Sequence, residues 1–133
     1  MDKKVSIILS TFNEATVIED TITQILKSLD SVEIILVDDN STDGTFEIVN
    51  NMHNPNVKTY SRKTRGLASA FLLGLINSSS NTVGWLDSNM GSLANKLPEM
   101  LSKLNTHDIV LLSRYVDGGK DLRSKLRVIT SQM

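Results

Sequence analysis

The sequence contains no cysteine. No disulfide framework and no thiolate-held zinc can therefore staple it, and the absence agrees with a reducing cytoplasm. It also lacks an excess of either charge, with 14 Lys and Arg against 15 Asp and Glu in 133 residues, a net charge of −1. That balance excludes an acidic tail and a nucleic-acid clamp and selects no partner by itself. Long apolar runs are missing too. The opening "MDKKVSIILS" is basic, but its apolar stretch falls far short of a signal-peptide core or of the roughly 20 residues that span a bilayer, so it reads as a first strand. There is no repeat, linker or low-complexity segment. His53 and His107 lie in connecting segments without partners at metal-ligand spacing, which places both on the surface, and the scattered methionines line no groove. What remains is one domain with 40% hydrophobic residues, enough for a core without staples.

Short β-branched runs alternate with longer stretches of helical spacing, the pattern of βαβ units and hence of an α/β fold on a mostly parallel sheet. The expected strands are "VSIIL", "EIILVD", "VKTYS", "TVGWLD" and "DIVLLSRY". Their nearly continuous apolar character suits strands covered on both faces, and Trp85, mid-strand, reads as core. In "ATVIEDTITQILKSL" the residues Val17, Ile18, Ile22, Ile25, Leu26 and Leu29 share one helical face. "GLASAFLLGLINS" is apolar nearly all round and should be buried more deeply. "SLANKLPEMLSKLN" should be a further helix, with Ser92 as its N-cap and Pro98 marking either a kink or the true start.

Right-handed crossovers put every strand's carboxyl end on one edge of such a sheet, where ligands bind. Three of these ends carry polar clusters: "STFNE", "DDNSTDG" and "DSNMG". Helix capping by Ser41 or Thr42, with Asp43 in the first turn, accounts for part of the middle cluster. It leaves the adjacent pair Asp38 and Asp39 unexplained, since a second charge beside a capping carboxylate costs repulsion. A ligand bearing hydroxyl or amine donors would account for the surplus.

Taken in order, "SIILSTFNEATVIEDTI", "ILVDDNSTDGT", "GLASAFLLGL", "WLDSN" and "SRYVDGG" resemble the family 2 glycosyltransferases of the GT-A fold, in particular the polyprenyl-phosphate mannose or glucose synthases. The likeness runs nearly end to end. It implies a Rossmann-like three-layer sandwich, a nucleotide-sugar donor, Mg or Mn as divalent cation, and sugar transfer with inversion to an acceptor, polyprenyl phosphate being favoured. It further implies that Ser10, Phe12, Glu14, Val37 and Asp39 surround the donor's nucleoside, Asp39 accepting hydrogen bonds while Asp38 orients the loop. Where the family has Pro and Tyr in the first loop, this chain has Ser10 and Phe12. Phe12 still offers a ring for stacking.

Relatives end the fourth strand with Asp-X-Asp, because a diphosphate needs a hard cation and carboxylate oxygens suit it. Here the stretch is Asp87, Ser88, Asn89, so Asp87 carries the catalytic and metal role, Ser88 touches substrate, and Asn89 is a neutral metal ligand. Gly91 stands where a further polar ligand is common. Arg62, Lys63 and Arg65 flank the donor edge and one should meet the diphosphate, Arg62 being the choice. Arg114 in "SRYVDGG" is placed to grip a phosphate. Lys120, Arg123, Lys125 and Arg127 form either a solvated face or a contact with a lipid phosphate or anionic membrane surface.

Two other functions compete. One is a catalytically weak nucleotide-binding module on the same fold, and the other is a receiver-like domain in which Asp87 would accept a phosphoryl group. Against the receiver, a complete strand and helix precede the acidic pair. The apolar-spaced "LRVITSQM" at the chain's end leads to the expectation of a single GT-A-like domain, 1–133, truncated at the C-terminus as the donor-binding portion of a longer transferase. The expected chain is cytoplasmic, at the cytoplasmic face of a membrane, and self-associating through apolar surface.

Overall fold

The computed structural model describes residues 5–113 and 115–119. The chain divides at Pro98/Glu99 into two units. In the first, β1 (Val5–Thr11), β2 (Val32–Asp38), β3 (Val57–Ser61) and β4 (Thr82–Trp85) alternate with α1 (Ile18–Ser28), α2 (Thr45–Asn51) and α3 (Leu67–Ile76). The sheet order is β3-β2-β1-β4 and every pairing is parallel. From β1 the chain steps outward twice, to β2 and β3, then crosses back to β4 on the far side of β1. With right-handed crossovers, α1 and α2 cover one face and α3 the other, which gives three layers.

The apolar pattern explains the elements. Ile18, Ile22 and Ile25 are fully buried along one face of α1, spaced four and three residues apart as a helix requires. Glu19 and Asp20 in its first turn and Lys27 in its last oppose the helix dipole. β2 is buried at all seven positions, as a strand covered on both faces should be. Ile8, Ile35, Val37 and Ala70 form a buried cluster on the α3 face, with Tyr60, Phe71, Leu73 and Val83 packed against it. Gly74 permits that contact, because a Cβ there would lie 2.6 Å from Ile8 Cγ2.

Four expectations need correction. α3 is less buried than its composition suggests: Leu67, Leu72, Leu75 and Ile76 are exposed. It is alone on its face among the described helices of this unit, so only its sheet-facing side is covered. Trp85 is 44% exposed rather than core. It lies on an edge strand and is covered by Phe71, whose ring stacks on it at 5.2 Å. Ser92 caps nothing: Gly91–Lys96 is a 3-10 helix without a side-chain cap, and α4 (Leu97–Lys103) follows with Pro98 in its first turn, where a missing N–H costs nothing. Finally, 108–113 is no strand. Ile109 and Leu111 are exposed, and no described strand takes up the backbone groups of this run, without which an apolar segment forms no ladder. Arg114, Lys120, Arg123, Lys125 and Arg127 lie outside the described residues.

Candidate functional site

The β1/β2 register sets Thr11 opposite Asp38, and the site is built outward from that pair. The Thr11 hydroxyl donates to Asp38 Oδ1 at 2.9 Å, and Ser41 donates to the same carboxylate through its N–H at 2.9 Å and its Oγ at 2.6 Å. Asp38, 1% exposed, is thereby used up in folding the loop after β2. Asp39 faces Arg62 instead. The guanidinium forks onto it, Nε to Oδ1 and Nη2 to Oδ2, and the Gly66 N–H reaches Oδ2 at 3.2 Å. Arg62 also donates to the Gly66 carbonyl oxygen and to Ser69 Oγ, so it braces the start of α3. A carboxylate offers about four acceptor positions, and these bonds leave Asp39 room for one more donor.

The loops after β1 and β2 are laced together as well. Asn13, in the left-handed region at φ +53°, accepts from Thr42 N at 2.9 Å, and its own N–H donates to Ser41 Oγ. Glu14 N–H donates to Thr45 Oγ1 and Ala15 N–H to Asp43 Oδ2. Asp43 Oδ1 accepts from both N and Oγ1 of Thr45. The Thr45 hydroxyl bond, with help from the Ala15 N–H, holds the Asp43 carboxyl below its usual pKa. The N-cap of α2 is Gly44 at φ +91°, not Ser41 or Thr42. We expect Asp43→Ala to release the Ala15 amide, so that its hydrogen exchange accelerates at least tenfold while amides in β1 and β2 keep their protection. Unchanged exchange at Ala15 would show that the loop holds without this carboxylate.

These loops leave a cleft of about 400 Å³ at the carboxyl ends of β1, β2 and β4, within the usual range of ligand pockets. It sits where the strand order reverses about β1, the switch point of a doubly wound sheet. Ser10, Thr11, Phe12 and Glu14 form one wall; Asp39 and Leu67 lie beside them; Asp87, Ser88 and Asn89 close the other end. Of the residues singled out by sequence, seven of those described meet here: Ser10, Phe12, Glu14, Asp39, Asp87, Ser88 and Asn89. Two do not. Val37 is fully buried in the core cluster, because its position in β2 turns its side chain to α3. Arg62 stands behind Asp39 and does not line the cleft.

Arg65, rather than Arg62, reaches the front: its guanidinium lies 3.4 Å from the centre of the Phe12 ring, a cation–π contact. A base stacking on Phe12 must take the other ring face or displace Arg65. Thr11, Leu67, Asn13 and Thr45 escaped the sequence reading. Only Asn13 carried a signal, since Asn is enriched in left-handed conformations that join polar loops. Among the described residues no helix is long and apolar enough to cross a membrane, and no three His, Cys, Asp or Glu side chains gather as a metal cage.

A parallel, doubly wound sheet with this cleft at its switch point defines an α/β domain of the GT-A type. The chain belongs to glycosyl transferase family 2, whose family model matches residues 6–130. It is 34% identical over 122 residues to the dolichol-phosphate mannosyltransferase of Pyrococcus furiosus, a match covering 88% of this chain and 35% of that one. Among solved structures, a mannosyltransferase from Pyrobaculum calidifontis in complex with GDP-Man and Mn2+ superposes with a TM-score of 0.60 at 28% identity, over 70% of this chain and 31% of that one. Glucosyl-3-phosphoglycerate synthase from Mycobacterium tuberculosis, in complex with Mn2+, UDP and glucosyl-3-phosphoglycerate, gives 0.63 at 26% identity, over 80% and 41%. The chain thus spans roughly a third of the first relative's length. This family match leaves the receiver-like alternative without support.

Proposed function

We propose that this chain carries the donor side of an inverting glycosyltransferase: it binds a nucleoside-diphosphate sugar and directs the sugar to a phosphate acceptor, polyprenyl phosphate being the favoured one. The observation that carries this reading is the meeting of Glu14, Asp39, Asp87 and Asn89 in one cleft at the switch point of the sheet. Phe12, Glu14 and the remaining acceptor position of Asp39 take the nucleoside. Asp87 and Asn89, both exposed at the far end, are the residues that would hold a divalent cation.

Two oxygen donors side by side, with no third acidic group gathered among the described residues, do not make a protein-only cage. They do fit an ion that completes its shell with diphosphate oxygens and water, the usual manner of Mg²⁺. When bound, such a cation supplies charge neutralisation on the departing diphosphate. In the transfer itself an acceptor phosphate oxygen forms the new bond to the anomeric carbon, and the bond to the diphosphate breaks with its electron pair leaving on the nucleotide. A phosphate acceptor is already ionised, so no general base is needed and the protein's part is positioning and electrostatics. A lipid acceptor would place the working protein at a membrane surface.

Asn89 favours a second reading, a module that binds the nucleotide with little turnover, since its carbonyl oxygen brings a ligand without charge. A thermal-shift panel of UDP-, GDP- and dTDP-sugars with and without Mn²⁺ tests the binding shared by both readings: at least one should raise the melting temperature, more so with the metal. Asn89→Asp should tighten Mn²⁺ binding in the presence of nucleotide by roughly tenfold, and Asp87→Asn should weaken it. Calorimetry that finds neither change would remove the cation from this end of the cleft. Sugar transfer to a polyprenyl phosphate by the wild-type chain would decide between the two readings.

A further inference from the structure

Thr21 sits in the first turns of α1 and is 1% exposed. A threonine inside a helix ordinarily returns its hydroxyl to the carbonyl one turn back or points it to water. Here the hydroxyl leaves the helix and donates to the Ser88 carbonyl oxygen at 2.6 Å, across 67 positions of sequence. Ser88 is itself 4% exposed, so its carbonyl has no ready alternative in solvent. A second contact lies beside the first: a Cβ placed on Gly91 would stand 2.8 Å from Thr21 Cα and 3.1 Å from Thr21 Oγ1. Only a residue without a side chain lets the segment after β4 approach α1 this closely. The glycine that looked like a lost metal ligand is therefore a packing requirement.

The two contacts, at Ser88 and Gly91, pin to α1 the turn that presents Asp87 and Asn89, which is closed by the Met90 N–H donating to the Asp87 carbonyl oxygen at 3.0 Å. The start of α1, one turn before Thr21, belongs to the loop after β1. Its first turn hangs from Glu14, whose carbonyl oxygen accepts from Val17 N at 3.1 Å and Ile18 N at 3.0 Å. One helix thus grips the nucleoside wall at its start and the Asp87–Asn89 wall at Thr21.

We propose that Thr21 is a positioning residue that, seated against Gly91, holds Asp87 and Asn89 at the distance from Glu14 at which a nucleoside diphosphate and its cation are engaged together. The inference rests on the assignment of the cation to Asp87 and Asn89 above. Thr21→Val keeps the shape but removes the donor and sets a methyl group against a buried carbonyl. The nucleoside wall is untouched by this change, so only the metal-dependent part of binding should suffer.

The test is calorimetric titration of the full chain with GDP and with UDP, each in Mn²⁺ and in EDTA. In Thr21→Val the factor by which Mn²⁺ tightens nucleotide binding should fall about tenfold, the scale on which outer-shell partners act on metal affinity, while the EDTA affinity stays at the wild-type value. Thr21→Ser, which restores the donor, should recover the wild-type factor. Gly91→Ala, which forces the turn off α1 and keeps the hydroxyl, should lose it, and this pair carries the comparison if Thr21→Val folds poorly. An undiminished Mn²⁺ factor in Thr21→Val and Gly91→Ala, or an equal loss in EDTA, would overturn the proposal and leave Thr21 a packing residue. A wild-type chain that binds nucleotide with no Mn²⁺ effect would overturn the cation assignment itself, and this inference with it.

Discussion

Asp39→Ala should lower the stability of the chain by about 3 kcal/mol and abolish the melting-temperature rise produced by a nucleoside diphosphate. The first effect follows from the fork with Arg62. The two side chains are only 11% and 13% exposed, and removing one partner strands a largely desolvated guanidinium, which costs far more than losing a surface pair. Gly66 loses an acceptor for its N–H in the same step, at a residue held at φ +148° immediately before α3, so the cleft wall at Leu67 loosens too. The double variant Asp39→Ala/Arg62→Ala should cost less than the two single changes added together, because no unpaired charge remains. Arg62→Lys separates bracing from binding: it keeps a positive charge but gives up the fork, so stability should fall while the ligand shift survives. Wild-type stability in Asp39→Ala would deny the brace. A preserved ligand shift would remove Asp39 from the nucleoside site.

The pair Asp38 and Asp39 also shows where sequence reasoning stopped. The pattern offered capping or ligand binding as uses for the charge, and most of it goes to neither. Asp38 is spent on Thr11 and Ser41, Asp39 largely on Arg62 and Gly66, and Asp43 on Thr45 and Ala15. These partners sit on other elements, and no spacing along the chain announces them. The same holds for Arg62, Lys63 and Arg65: the sequence favours Arg62 among these neighbouring cations for the diphosphate, whereas the fold turns Arg62 onto a carboxylate and Arg65 onto the ring of Phe12.

The four strands, the buried face of α1 and the three polar strand ends were legible because period and punctuation are local properties. Trp85 and the apolar run 108–113 depart from the expected buried strands for a common reason. Whether an apolar segment is central, edge or unpaired is decided by which neighbours it acquires, and the sequence pattern of a buried strand does not distinguish these cases. Thr21 carries no signal of its own in the sequence, since nothing in "IEDTITQ" distinguishes its hydroxyl from that of Thr23.

Glu33 was hidden in the same way, inside a strand that is apolar on either side of it, and it carries the second large prediction. The register sets it opposite Ser6, at the end of the sheet away from the cleft. Its side chain is 2% exposed and accepts from Ser6 Oγ and Ser79 N, with Lys58 Nζ 3.0 Å from Oε2. Burial by itself would raise its pKa, but these donors together outweigh burial and bring it from 4.5 down to about 2. The folded state therefore favours the ionised form, and the stabilisation is present above about pH 4.5 and lost as the pH falls toward 2. At about 1.4 kcal/mol for each tenfold change in acidity, it amounts to about 3 kcal/mol. Glu33→Gln keeps the shape and an acceptor for Ser6 but ends the charge pairing with Lys58. It should cost about 3 kcal/mol at pH 7, and urea midpoints should show this difference from wild type shrinking steadily between pH 5 and pH 2. Both proteins will weaken in acid as other carboxylates protonate, so the difference between them is the quantity that reports on Glu33. A gap that stays constant across that range would mean that Glu33 contributes packing alone, and that the donors around it stabilise its neutral form equally well.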